Sequence, residues 1–340
     1  MNMKNKKTGV LLINLGTPDS PKVSDVRSYL FQFLNDPRVI DIPAVLRKVL
    51  VNGIIVPFRA PKSAEEYKKL WTEKGSPLLY YSEQTKEKLQ EALGGEITVE
   101  LAMRYKNPSI PDVLEKMRKE NYDKIIILPL FPQYASATNG SAIEEVFRVI
   151  SKWWVIPELE FVGQFYDHPL YIQAYAELGR QFKIEDYDHV IFSYHGLPTR
   201  QVDKVYDTGL CEDRDCEKEV NEENKFCYKA TSYATTRAIA EALNIPEEKY
   251  TVAFQSRLDN KWLEPFADKT IIEQAKKGAK KLLFFSPAFT ADCLETIVEI
   301  GEGYQELFEE HGGEKVQLVP SLNDHPTWIE CLKDIVIKRA

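Results

Sequence analysis

The sequence predicts an α/β protein built from two Rossmann-like, doubly wound parallel-sheet domains. Three observations carry that prediction. Short apolar runs recur eight times along the chain, and a helical pattern follows each. The runs are continuously apolar rather than alternating, as strands covered on both faces are. At 340 residues the chain is also long for a single core, so two domains are the natural expectation.

Taken in order, the first four runs are Gly9–Leu15, Ile97–Leu101, Lys124–Phe131 and Leu159–Gln164. The second four are His189–Tyr194, Tyr250–Gln255, Lys281–Ser286 and Lys315–Val319. The join is expected near Asp167–Tyr171, where His168 and Pro169 precede a helical stretch over Ile172–Phe182. This sets one domain over residues 1–168 and a second over 169–320. The tail, 321–340, places Trp328, Ile329, Leu332 and Ile335 at helical spacing and is expected to pack back on the first domain. Residues 26–58 break the alternation with a dense apolar set that includes Tyr29, Phe31, Val45, Leu46, Ile54 and Phe58. Two amphipathic helices covering a core satisfy that pattern, and so does an apolar lip over a cleft that also touches a membrane surface.

The bulk numbers exclude several classes. A formal charge of −8 with no long basic run argues against a nucleic-acid footprint. No run reaches the roughly 18 apolar residues of a membrane span. The basic start, Met1–Lys7, is followed by too short an apolar stretch for a signal peptide, so a cytoplasmic protein is expected. Five cysteines, an odd number, suit a reducing compartment.

Gly16-Thr17-Pro18 ends the first run where a nucleotide-binding fold carries a glycine-rich phosphate loop, and neither that loop nor a nucleophile elbow is present. Two other stretches, each after a buried-strand pattern, point to chemistry. One is Phe192–Pro198, with His195. The other is Asp292–Glu299, whose Asp292, Glu295 and Glu299 share one face at α-helical spacing. In an open sheet, sites form at the carboxyl ends of strands. An imidazole and carboxylates there can move protons and handle a divalent cation. Asp292-x-x-Glu295 is equally a capping box, with acidic residues complementing a helix dipole, so both readings stand.

At these residues the chain resembles the ferrochelatases. The resemblance rests on Leu12–Pro18, Gly75–Pro77, Met103–Tyr105, Leu128–Tyr134, Phe192–Pro198, Phe254–Arg257 with Trp262-Leu263, and Pro287–Thr296. It implies two Rossmann-like domains with a porphyrin cleft between them. It also implies insertion of Fe²⁺ into protoporphyrin IX, the last step of haem synthesis. His195 then corresponds to the essential histidine and Glu295 to the facing glutamate, the pair that would meet the iron, with Asp292 and Glu299 continuing the acidic face. Leu15, Arg59, Tyr134, Ser136, Gln255, Ser256 and Arg257 are the implied porphyrin-side residues. Arg59 and the hydroxyl-rich Ser136–Ser141 segment are the candidates for the propionates. Leu15 stands where coproporphyrin III enzymes commonly carry tyrosine. A coproporphyrin enzyme, a non-catalytic haem carrier and a chelatase for cobalt or nickel are the rival functions.

Residues 205–230 form an insertion with Cys211, Cys216 and Cys227. Some bacterial ferrochelatases hold a [2Fe–2S] cluster on cysteines placed here, with four thiolates. This chain offers three, with Glu217 or Ser232 where relatives tend to have another. A cluster, an emptied remnant and a zinc site are the alternatives. In Arg257–Trp262, Asp259 and Asn260 stand where relatives often have glycine, and a left-handed turn is expected to survive on them.

Overall fold

The computed structural model describes residues 6–340; of the basic start Met1–Lys7, residues 1–5 lie outside the described residues. The chain divides into two compact units. Among the described residues, the first comprises 6–131, 136–163 and 329–340, and the second comprises 132–135 and 164–328. The chain thus enters the second unit at Gln164, a little before the expected join at His168-Pro169.

The first unit is built on a parallel sheet of β1 (Thr8–Gly16), β2 (Ile97–Tyr105), β3 (Lys124–Pro129) and β4 (Glu158–Phe161), in the order β2-β1-β3-β4. Central β1 is buried almost throughout, which is why Val10–Ile13 carry no polar side chain. Edge strand β4 is only half-covered. Leu11, Ile13, Ile125 and Ile127 pack against Leu114 and Met117 of the helix Ile110–Lys119. Ser109 caps that helix by accepting from the Asp112 amide. The sharp exit from β1 needs Gly16 (φ 110°), because a Cβ there would lie 2.0 Å from the Tyr105 carbonyl oxygen. Thr17 and Asn14 then hold the exit loop through Ser76 (2.9 Å) and Ser82 (3.0 Å). The Leu12–Pro18 and Gly75–Pro77 motifs therefore form one structural feature. Lys124 of β3 donates to the carbonyl of Arg339 in the closing segment.

The second unit repeats the plan with β5 (His189–His195), β6 (Tyr250–Gln255), β7 (Lys281–Phe285) and β8 (Lys315–Leu318), all parallel in the order β6-β5-β7-β8. In both sheets the first strand is central and the second and third flank it. The topological switch point of the second sheet therefore lies between β5 and β7. His195 is the last residue of β5, and the segment after β7 carries the acidic residues.

That acidic segment departs from expectation. It is a π-helix over Glu295–Tyr304, not an α-helix running from Asp292. Shorter π-turns occur at Val51–Ile55 and Ser136–Gly140, the second opening the helix Ser141–Ile150. In the 26–58 region Tyr29, Leu30, Leu34, Val51 and Val56 are buried, while Phe31, Val45, Leu46, Val49, Ile54 and Phe58 are exposed. No helix among the described residues is long and apolar enough to cross a membrane.

Candidate active site

His195 and Gln255 are register partners at the carboxyl edge of the second sheet. The half-buried His195 ring places Nδ1 2.6 Å from the Gly196 carbonyl. A carbonyl only accepts, so Nδ1 carries a proton, and in the neutral ring it is Nε2 that holds the lone pair, the form needed of a base or ligand. Trp262 lies beside the imidazole, with ring centroids 6.4 Å apart. Gly196 permits this crowding: its amide donates to the Gln255 carbonyl (2.8 Å), and an added Cβ would sit 2.8 Å from that oxygen and 3.2 Å from the Trp262 ring.

Gln255 joins the histidine strand to the π-helix. Ser193 donates to its Oε1 (2.6 Å), which orients the amide so that Nε2 faces the Glu295 carbonyl (3.1 Å) and the Glu299 carboxylate (3.0 Å). Glu299 collects three more donors: the Ser256 amide (2.9 Å), the Ser256 hydroxyl (2.5 Å) and the Tyr304 hydroxyl (3.2 Å). Ser256 can offer both its groups because it is left-handed (φ 61°). That conformation is costly for serine, and the carboxylate holds it in place. Burial, and then the charge of Glu299, push the Tyr304 phenol well above its ordinary range, so it stays a donor.

Glu299 is thus a braced carboxylate, whereas Glu295 meets Gln255 through its backbone carbonyl. Beside Glu295, burial and then that carboxylate's charge drive the Cys293 thiol well above its usual range. Asp292 is engaged elsewhere. It is buried, and its oxygens accept from Thr296 (3.1 Å), the Ser321 amide (3.2 Å) and Asn323 (2.8 Å). These bonds pin the entrance of the π-helix to the 321–323 turn. Arg257 is also committed, its fork on Asp268 (3.3 and 2.7 Å) and its plane 4.3 Å from the Phe266 ring centre. The left-handed residue of this loop is Ser256, and neither Asp259 nor Asn260 has a positive φ. Sequence reasoning assigned no role to Ser193, Tyr304 or Trp262. Ser193 and Trp262 lay inside quoted motifs, whereas nothing in the pattern marked Tyr304.

The other porphyrin-side candidates are placed as follows. Leu15 is half-buried near the end of β1, and its amide is held by Asn14 Oδ1 (2.8 Å). Arg59 is exposed beside the exposed Phe58. Ser136 accepts from Arg38 (2.9 Å). Nearby, the carboxylate of Asp36 accepts from Arg104 (2.6 Å), Tyr105 (2.9 Å) and Ser141 (2.6 Å), which accounts for the Met103–Tyr105 motif. In the second unit, Tyr134 packs edge-on against Phe226, with centroids 6.0 Å apart.

Phe226 precedes Cys227, where the insertion's thiols converge. Cys211 Sγ lies 3.7 Å from Cys216 Sγ and 3.6 Å from Cys227 Sγ, and all three are buried. Glu217 pairs instead with Lys229 (2.6 Å), and the buried Ser232 hydroxyl has no hydrogen-bond partner. Among the described residues no fourth cysteine joins the group. A [2Fe–2S] cluster bound by four thiolates therefore does not fit.

Comparison with known proteins agrees with this architecture. A family model described as Ferrochelatase matches residues 7–340. A ferrochelatase of Coxiella burnetii (strain Dugway 5J108-111) is 44% identical, over 98% of this chain and 94% of the relative. One from Legionella pneumophila (strain Lens) is also 44% identical, over 97% and 98%. Among solved structures, SirB from Bacillus subtilis with Fe3+ has a similar fold, with a TM-score of 0.53 and 12% identity, covering 98% of this chain and 95% of that one.

Proposed function

The chain belongs to the ferrochelatase family, enzymes that insert a metal ion into a porphyrin, and we propose that its own reaction joins Fe²⁺ to protoporphyrin IX to give protohaem. The observation that carries this reading is the His195 ring, with Nδ1 bound to a carbonyl and Nε2 left basic, set beside the Gln255-braced acidic π-helix.

Metallation must take two pyrrole protons and give their nitrogen lone pairs to the cation. In this reading His195 Nε2 accepts a pyrrole proton or meets the metal, and Glu295 serves the hydrated iron or passes a proton outward. Glu299, Gln255 and Ser256 position these groups, and Asp292 anchors the helix. Bending the ring to expose its nitrogens draws on binding energy at its edge. Leu15, Tyr134, Ser136 and Arg59 are the residues proposed for that edge, with Arg59 taking a propionate. The exposed apolar set Val45, Leu46, Val49 and Phe58 suits peripheral contact of a cytoplasmic enzyme with a lipid surface.

The test is anaerobic metallation of protoporphyrin IX and coproporphyrin III with Fe²⁺, comparing wild type with His195→Ala and Glu295→Ala. Faster turnover of protoporphyrin, lost in both variants while the fold persists, is expected. Preference for coproporphyrin would overturn the substrate, and full activity in both variants would overturn the site.

A further inference from the structure

We propose that Cys211, Cys216 and Cys227 bind one tetrahedral metal ion of the Zn²⁺ class, with the Tyr206 hydroxyl oxygen at the fourth corner. The sulfur geometry argues first. Four-coordinate zinc with Zn–S of about 2.3 Å places neighbouring sulfurs about 3.8 Å apart. The observed separations are 3.7 and 3.6 Å, and all three sulfurs lie within 4.8 Å of one another. In a two-iron cluster the thiolates divide between the two irons, so three of them cannot all surround one point. The thiols here share a single centre.

The fourth corner is argued from Tyr206, whose oxygen lies 3.1 Å from Cys216 Sγ. A hard oxygen completing a thiolate triad suits zinc, which accepts sulfur, nitrogen and oxygen alike. The surroundings are also built for a fixed site. The Cys211 amide donates to Asp203 (2.8 Å). Buried Asn224 reaches Cys216 Sγ (3.9 Å) while also donating to the Glu219 carbonyl (3.0 Å). Such outer groups orient ligands.

The charge balances as well. Loading releases three thiol protons and leaves three thiolates around a dication, a net charge of −1 with a neutral phenol. The Arg214 guanidinium, 3.9 Å from the Tyr206 ring centre, brings a positive charge beside the proposed fourth ligand. The insertion has only short turns of helix between Asp203 and Tyr228. A metal would therefore fasten it to the helix Tyr228–Leu243, supplying folding energy rather than electrons.

The experiment measures zinc, iron and acid-labile sulfide in the purified full chain, and the absorption spectrum after exchange with Co²⁺ alone. One zinc per chain, no sulfide and the intense visible bands of tetrahedral thiolate cobalt are expected. The triple variant Cys211→Ser/Cys216→Ser/Cys227→Ser should lose that metal, whereas an ion held at the porphyrin site would persist. Tyr206→Phe should keep the zinc but raise its dissociation constant about tenfold or more and shift the cobalt bands. If the triple variant fails to fold, the wild-type cobalt spectrum decides alone. A brown protein with equal iron and sulfide, a weak octahedral cobalt spectrum, uptake of neither metal, or unchanged metal in a folded triple variant would each overturn the proposal.

Discussion

Replacing Glu299 with glutamine keeps the shape of the side chain and discriminates sharply between a braced carboxylate and a merely acidic surface. Of the four donors on Glu299, the Tyr304 and Ser256 hydroxyls can turn and accept instead. The other two cannot. The Ser256 amide faces Oε1, and the Gln255 amide nitrogen faces Oε2. Whichever way a glutamine is placed, its NH₂ therefore meets an obligate N–H donor. Flipping Gln255 gives no escape, because its oxygen would then face the Glu295 carbonyl. One unmade, half-buried hydrogen bond to a charged acceptor costs about 2 kcal/mol. That is roughly a thirtyfold fall in the folding equilibrium. Urea unfolding of wild type and Glu299→Gln measures it, and initial metallation rates should show kcat falling about tenfold or more, because the Gln255 bridge to Glu295 shifts. Stability within about 0.5 kcal/mol of wild type together with unchanged kcat would refute the bracing argument.

Three further outcomes follow from the geometry. Gly196→Ala should cost about 1–3 kcal/mol, since backbone oxygen cannot yield to its Cβ, and should lower kcat/KM by displacing His195; urea unfolding with steady-state rates checks both. Burial, reinforced by Lys277 and Lys249, lowers His189 from 6.5 to about 4 in the folded chain. The unfolded chain then takes the proton first as pH falls through 6.5, so stability is full above that value and declines toward pH 4. The loss should be about 1–2 kcal/mol at pH 5, and urea unfolding at two pH values should show it shrinking in His189→Asn. Asp36→Leu should destabilise by about 1–3 kcal/mol, because the half-buried Arg104 then keeps only Ser141 as a partner, and Asp36→Leu/Arg104→Met should recover much of that loss; chemical denaturation of the cycle decides it.

All eight strands were legible, the central ones because their side chains meet apolar neighbours on both faces, a signal that survives in one sequence. Boundaries were less so. β2 runs on to Tyr105 although Arg104 interrupts its apolar run, because that guanidinium is spent on Asp36 and Ser141 rather than on water. His195 and Glu295 could be chosen by chemistry and resemblance, but the roles of their neighbours depend on partners far along the chain. Asp292 reads as one of three equal carboxylates until Ser321 and Asn323 are seen to use it. Ser256 carries no mark of its left-handed backbone, since a glycine would have announced that conformation and a serine conceals it. The spacing of the three cysteines suggested a metal, but only their mutual distances choose between one centre and two.

The π-helix is the deepest of these hidden features, and it alters what the acidic segment can do. In an α-helix, residues five apart point about 140° away from each other. Tyr304 could not then brace Glu299 from within its own helix. With bonds from i to i+5 the turn widens, residues five apart come to share a face, and the Tyr304 hydroxyl reaches the Glu299 carboxylate. Gln255 meets both residues of the segment, the Glu295 carbonyl and the Glu299 carboxylate. The wide turn thus converts a row of like charges, which an α-helix would merely tolerate, into two carboxylates with different duties. Glu299 is locked by four donors, and Glu295 is the one proposed for the reaction. A helix read at 3.6 residues per turn places the right residues in sequence and gives them the wrong neighbours.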